Sequence, residues 1–387
     1  MRISRREFSG LVSKLGVVGL AGRVLPAGVA GAQVGAGAAV QVEVKDPVAW
    51  SGPKVGYCVI GLGRIADHFM RGVRDSSTAK ITGLVSGHRA KAERIAAEYG
   101  VPVSSIYSYE DMDRMRENGA IDAVYVALPN SMHAEYTIRS AKAGKHVLCE
   151  KPMSTSVNDA KAMIAACDAA KVKLMIAYRL HYEPTTRRAI GLVRGGALGQ
   201  VQSIVSANGF NESAGEWRLN KALSGGGPLL DVGIYCLNAM RYLTGEEPAK
   251  FTGYVSTIDQ DGRFTSVEEN TSWVMQFPTG IQASCTTTYG ADMPGFYRVY
   301  GAKGWLQVDQ FGYEGLRLTA EYRGDAGRVK LDEPNTEKDP EQFVRQVDHF
   351  SGCVRTGRTP DTPGEEGLRD MEYMQAIYRS AGVVALV

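Results

Sequence analysis

The sequence has almost no surplus of either charge: 44 Lys and Arg stand against 42 Asp and Glu, a formal +2. Without a basic excess there is no electrostatic drive toward nucleic acid or an anionic membrane, and neither partner is expected. Paired cysteines are also missing. None of the six forms a C-x-x-C spacing, and Cys58 and Cys149 lie inside the apolar strings Val-Gly-Tyr-Cys-Val-Ile and His-Val-Leu-Cys-Glu. Buried thiols are therefore expected, with no disulfide framework and no metal site. Long hydrophobic runs are absent too. The stretch from Leu11 to Leu20 is interrupted by Lys14 and falls well short of the roughly 20 residues that span a bilayer. Glycine is plentiful, 45 residues against 15 prolines, but it clusters at a few turns and follows no repeat.

What remains is ordinary soluble material: 387 residues, 44% hydrophobic and 22% charged, enough for about two domains. Ser4-Arg5-Arg6-Glu7-Phe8 precedes the Leu11–Leu20 stretch, and Ala30-Gly31-Ala32 offers small residues for cleavage. Residues 1–32 read as a twin-arginine export signal, which predicts a periplasmic protein. Residues 33–52 carry neither period and read as an extended arm. From Lys54 strands and helices alternate, with apolar runs at 55–60, 80–85, 123–127 and 146–149. Such alternation predicts an α/β Rossmann domain over 53–176, a doubly wound parallel sheet. After Ala177 the texture changes to alternating Thr- and Val-rich segments at 200–208, 250–258, 271–277, 281–288, 304–308 and 315–319, with helices at 343–355 and 366–381. This predicts an α+β substrate and oligomerisation domain over 177–387, built on a mostly antiparallel open sheet. A broad sheet with one face to cover suggests a homo-dimer or homo-tetramer.

Three constellations carry chemistry. Gly61-x-Gly63-x-x-Ala66 lies between a strand and a helix, where glycines allow a tight turn and close approach to a pyrophosphate. Gly61, Leu62, Gly63, Arg64 and Ile65 are placed in a dinucleotide site. The second strand does not end in the carboxylate that binds a free ribose hydroxyl. Its end, Ser86-Gly87-His88-Arg89-Ala90-Lys91, presents a hydroxyl and cations, so Ser86, Gly87, Arg89 and Lys91 point to NADP over NAD. Arg89 and Lys91 are equally consistent with the solvated start of a helix. Tyr107, Leu128, Pro129, Asn130 and His133 are assigned to the same crevice. In the second constellation, Glu150 and Lys151 close a strand of the parallel sheet and face the cofactor. The third is Gly225-Gly226-Gly227-Pro228-Leu229-Leu230-Asp231-Val232-Gly233-Ile234-Tyr235, where Asp231 and Tyr235 share one helix face. A nearby ammonium such as Lys151 favours the phenolate, which makes Tyr235 a candidate general acid and base. Standing alone, the same pair is equally a polar turn residue and core filler.

These strings, in this order, resemble the Gfo/Idh/MocA family of sugar oxidoreductases over nearly everything after the arm. Tyr235 stands where many members carry His. Together with Val85-Ser86-Gly87, Lys91, Tyr178-Arg179-Leu180-His181-Tyr182-Glu183-Pro184, Trp217-Arg218-Leu219 and Pro363-Gly364-Glu365-Glu366-Gly367, it is similar to the glucose–fructose oxidoreductase branch. The resemblance implies tightly bound, non-dissociating NADP and ping-pong hydride transfer between small-molecule sugars. One aldose is oxidised at C1 to an aldonolactone, and fructose or another aldose is reduced to an alditol. It implies catalytic roles for Lys151, Asp231 and Tyr235, Asp231 orienting the sugar or the lysine, with Arg179 toward the cofactor and His181, Tyr182, Trp217, Arg218, Asp231 and Tyr235 around the sugar. Two alternatives share the motifs: a sugar or inositol dehydrogenase with exchangeable NADP, and an NAD-dependent glycosidase of the same superfamily. Export favours a retained cofactor, because the periplasm supplies no free nicotinamide pool.

Overall fold

The computed structural model describes residues 32–33 and 52–383; the export signal and nearly all of the arm lie outside them. Strand β1 is Ala32–Gln33. Strands β2 (Val55–Ile60), β3 (Ala79–Val85), β4 (Ile106–Tyr107), β5 (Ala123–Val126), β6 (His146–Cys149) and β7 (Leu174–Ile176) form a parallel sheet in the order β4-β3-β2-β5-β6-β7. The residues of β2 show why. Val55, Tyr57 and Val59 enter one hydrophobic cluster while Cys58 and Ile60 enter the other, so both faces of the strand are buried. Strand order reverses between β2 and β5, which opens a crevice at their carboxyl ends.

Helices α1 (Arg64–Asp75), α2 (Arg89–Tyr99), α3 (His133–Lys142) and α4 (Val157–Ala170) connect these strands. The chain then passes through α5 (Pro184–Arg194) into a second sheet made of β8 (Val201–Gly209), β9 (Lys250–Ser256), β10 (Asn270–Gln276), β11 (Gln282–Thr288), β12 (Met293–Gly301), β13 (Gly304–Asp309), β14 (Arg317–Gly324) and β15 (Gly327–Pro334). Its order is β1-β9-β10-β11-β8-β12-β13-β14-β15. All pairings are antiparallel except β8 with β11, which run parallel because two helices and a long loop intervene before β9. Those helices are α6 (Lys221–Ser224) and α7 (Ile234–Thr244). Strands β12 and β15 are absent from the sequence reading. β15 is an edge strand without one fully buried residue, and Pro294 and Gly295 break the alternation in β12.

The boundary at 177 needs one correction. Helix α8 (Glu341–Thr356) returns to the first domain, where Phe343, Val347, Phe350 and Cys353 join the cluster of Val55, Tyr57, Val59 and Phe69. Their spacing of four and three residues gives one apolar stripe, and the open flank of the parallel sheet beside α1 is where that stripe is buried. Helix α9 (Gly364–Ser380) packs against α4 and β9 and so ties the two sheets together. All six cysteines are free and buried.

Phe350 is fully buried, 6.5 Å from Tyr57 between ring centroids. Phe350→Ala is expected to lower unfolding free energy by about 3–5 kcal/mol, measured by denaturant unfolding. A loss within 0.5 kcal/mol, roughly the range of a surface change, would show that α8 is not part of the first core.

Candidate active site

The glycine turn is built to accept a ligand. Gly61 has φ +86°, and a Cβ there would stand 2.4 Å from the Ala127 carbonyl oxygen, so only glycine fits. At Gly63 the opposite holds: a Cβ would meet nothing within 4 Å, because the N-terminus of α1 opens into free space and no side chain caps it. An open, uncapped helix start after a parallel strand suits a pyrophosphate, so these residues fit a dinucleotide. Leu62 is buried, Arg64 is exposed, and Ile65 reaches the wall of the main cavity.

At the end of β3, Ser86 is buried and its Oγ accepts from the His88 amide at 3.0 Å, with Gly87 exposed beside it. Arg89 donates to Glu93 at 2.8 Å and to the Ile106 carbonyl at 3.1 Å, which ties it to its own helix and to β4; Lys91 is exposed. Tyr107 does not face this site. It is buried, and its hydroxyl accepts from Asn118 at 3.1 Å. Tyr109 is the aromatic beside Gly87, 3.4 Å from the position a Cβ would take there. The chain turns at 109–110 instead of continuing the strand, which brings Tyr109 beside Gly87 and leaves Tyr107 in the core, a correction to its place in the crevice.

Leu128 and Asn130 line the cavity, and Pro129 opens the turn between them. The Asn130 amide donates to the Ser224 carbonyl at 2.8 Å and so holds the two domains together. His133 is buried with its ring nitrogens 2.8 Å and 2.9 Å from the Pro152 and Leu128 carbonyls. Burial holds its titration below the usual histidine range. It fastens the ends of β5 and β6 with both ring nitrogens engaged, and it lines the cavity at the strand ends.

A cavity of about 430 Å³ lies at the carboxyl ends of the strands, lined by Glu150, Lys151, Arg179, Trp217, Arg218, Asp231 and Tyr235 among others. Asp231 lies in a short π-helical turn, Leu229–Gly233, that leads into α7, and Tyr235 follows in the first turn of that helix. Lys151 Nζ donates to the Asp231 carbonyl at 2.6 Å and to Oδ1 at 3.0 Å. Arg218 and the Tyr289 hydroxyl donate to Oδ2 at 2.8 Å and 2.9 Å. Burial alone would raise the Asp231 carboxyl, but Lys151 and Arg218 outweigh it and hold the group well below the usual carboxylate range. Burial works equally against the Lys151 ammonium, and Asp231 beside it holds that group above the usual lysine range. Glu150 is buried, its Oε1 accepting from the Tyr125 hydroxyl and its Oε2 from the Lys151 amide; burial pushes it up.

Lys151 does not reach the Tyr235 oxygen. Its Nζ stands over the ring, 4.7 Å from the centroid, while the donor to the phenol oxygen is Arg179 at 3.3 Å. Trp217 and Arg218 line the cavity as expected, the guanidinium 5.0 Å from the indole centroid. His181 and Tyr182 do not. His181 pairs with Asn238 at 2.7 Å, inside a buried network in which Arg241 donates to Glu366 and Asp370. Tyr182 is buried against Thr362 and Met175. The turn Arg179–Tyr182 aims Arg179 at the cavity and its neighbours into the core. Tyr289, Phe311, Gly312, Tyr313 and Gln342 surround the same groups without a motif, since each comes from a distant part of the chain.

A Rossmann crevice whose second domain delivers a phenol and the carboxylate that pairs with a lysine at the strand ends defines a dinucleotide-dependent oxidoreductase. Comparison with known proteins agrees. Residues 55–178 match the oxidoreductase family with an NAD-binding Rossmann fold and residues 186–307 match the GFO/IDH/MocA C-terminal domain. The chain belongs to the Gfo/Idh/MocA family. It is 30% identical to D-xylose 1-dehydrogenase [NADP(+)] of Haloarcula marismortui over 335 residues, 84% of this chain and 91% of that one. It is 26% identical to inositol 2-dehydrogenase of Rhizobium meliloti over 332 residues, 84% and 96% of the two chains. The crystal structure of aldose-aldose oxidoreductase from Caulobacter crescentus, complexed with glycerol, is 43% identical with a TM-score of 0.81, covering 85% of this chain and 98% of that one. Among the described residues no helix is long and apolar enough to cross a membrane.

Because the Asp231 carboxyl is held low, its stabilising contribution is fully present above the unfolded value of about 3.9 and is lost as pH falls toward the folded value. Asp231→Asn leaves Lys151 and Arg218 unbalanced and is expected to destabilise by about 3–5 kcal/mol at neutral pH. Thermal unfolding followed against pH should show that gap narrowing below about pH 4. A gap independent of pH would contradict the assignment.

Proposed function

We propose that this chain is a sugar oxidoreductase that retains NADP. It would oxidise an aldose at C1 to an aldonolactone and reduce a second sugar, fructose or another aldose, to an alditol by alternating half-reactions. The observation that carries the reading is the Tyr235 hydroxyl facing the same cavity as Lys151, at the carboxyl edge of the Rossmann sheet. The likeness to aldose-aldose oxidoreductase supports an aldose as substrate. The missing carboxylate after β3 and the likeness to the NADP(+)-dependent xylose enzyme support NADP. Periplasmic delivery through the twin-arginine signal and assembly into a homo-dimer or homo-tetramer belong to the same proposal.

The bound nicotinamide would supply hydride transfer at the sugar carbon. Gly61 and Gly63 would hold the pyrophosphate, with Ser86, Gly87 and the Arg89 and Lys91 side chains toward the adenosine end. Tyr235 takes the proton from the C1 hydroxyl in oxidation and returns one to the carbonyl in reduction. Lys151 has two of its three N–H groups on Asp231 and directs the remaining one to the substrate oxygen. Asp231 accepts from three donors and so fixes the lysine, with the second lone pair of Oδ1 left for the sugar. Trp217 offers an apolar face to a pyranose ring, with Arg218 against it.

The relatives named for xylose and inositol favour a second reading, a dehydrogenase with exchangeable cofactor. One experiment separates the two. Protein purified without added cofactor is desalted, its absorbance spectrum is recorded, and single sugars are added in turn. The proposal predicts a protein-bound NADPH band that an aldose raises and a second sugar bleaches. Empty protein that forms free NADPH only after NADP is added with the sugar supports the dehydrogenase, and protein that neither carries nor takes up nicotinamide contradicts both. Tyr235→Phe should lower turnover by about 10²- to 10⁴-fold while the bound nicotinamide stays in place; wild-type turnover in that variant would remove Tyr235 from the chemistry.

A further inference from the structure

We propose that Arg179 controls the Tyr235 proton, aiming its hydrogen into the cavity and serving as the counter-charge when that hydrogen leaves. This rests on Tyr235 being the proton-transfer group. Arg179 follows β7 and is 5% exposed. Its guanidinium is 3.3 Å from the Tyr235 oxygen, and it is fixed from the other side. It donates to the carbonyls of Phe311 at 2.5 Å and Gly312 at 2.7 Å and to the Gln342 amide oxygen. The Gln342 amide in turn donates to the Gly312 and Tyr313 carbonyls at 3.1 Å and 2.9 Å. The Tyr313 ring stacks on the guanidinium at 4.4 Å from the centroid. Four contacts from two remote segments hold one orientation.

A guanidinium has donors only and does not give up its proton. The Tyr235 oxygen must therefore accept from Arg179, and its own hydrogen has to point elsewhere, into the cavity where the substrate oxygen would lie. The same hydrogen bond strengthens as the oxygen gains negative charge. The charge on Arg179 is also unusual for its setting. Among the described residues no carboxylate forms an ion pair with it, although a buried cation normally requires one. The other charged or titratable groups facing Tyr235 are already committed. Lys151 and Arg218 hold Asp231, Glu150 accepts from Tyr125 and from the Lys151 amide, and Tyr313 lies across the guanidinium from Tyr235. A phenolate at Tyr235 is thus the anion that Arg179 lacks: it is the form that takes the substrate proton in oxidation and the form left behind when Tyr235 gives its proton to the carbonyl in reduction. Lys151 and Arg179 divide the work: the lysine addresses the substrate, the arginine addresses the tyrosine.

The test is the pH dependence of aldose oxidation with NADP saturating, for the wild type, Arg179→Gln, Arg179→Lys, Gln342→Leu and Tyr235→Phe. Removing the cation should move the acid limb of kcat to higher pH by about one unit or more, a tenfold or greater loss below the limb that is recovered above it. Arg179→Lys should restore part of the shift. Gln342→Leu, which touches neither Tyr235 nor the cavity, should move the limb the same way by less, and it decides the matter if Arg179→Gln does not fold. An unmoved limb with kcat lowered equally at every pH, or a rise in KM alone, overturns the inference and leaves Arg179 as packing or a sugar contact. Turnover retained by Tyr235→Phe would instead remove the acid/base reading beneath it.

Discussion

The ion pair between Lys151 and Asp231 is the constraint on which the site depends. Each group comes from a different domain, one from the end of β6 and the other from the turn ahead of α7, and each is largely buried. Neither charge could be tolerated there alone. The pair is completed by Arg218 and the Tyr289 hydroxyl on the far oxygen. Satisfying one carboxylate from three sides fixes where α7 begins, and with it the direction of Tyr235 one turn later. The catalytic geometry is therefore a by-product of neutralising a buried anion at the domain junction.

A second layer of polar contacts keeps that junction rigid. Asn238 and Arg241, further along α7, bind His181, Glu366 and Asp370, so the catalytic helix is anchored at its start by the active site and along its length by α9. Asn130 and His133 do the same for the strand ends. Residues that looked like ligand contacts in the sequence are, in several cases, the scaffold that holds the true contacts still.

Much of this was legible in the amino-acid order. Val55–Ile60 and the glycine turn after it identify the Rossmann half, because a strand buried on both faces must be apolar without interruption. Lys151, Asp231 and Tyr235, which meet in one cavity, each lie at a recognisable strand end or helix start. What could not be read depends on contacts between distant segments or on edges that carry no pattern. His181 and Tyr182 share a motif with Arg179, yet a tight turn sends them to the core. Tyr107 and Tyr109 would share one side of a continuing strand, and only the turn after β4 parts them. The apolar stripe of α8 announces a helix but not that its partner is α1, nearly 270 residues earlier. Phe311, Gly312 and Gln342 matter only because the fold brings them around Arg179, and no local spacing marks them.

The most direct measurement is a double-mutant cycle in turnover on Lys151→Met and Asp231→Asn. If the two groups act as one unit, each single variant already loses what the pair supplies, and the double variant should be no worse than the poorer single one within about threefold. Losses that multiply in the double variant would mean that the lysine and the aspartate act independently, and the pair would no longer account for how the site is built.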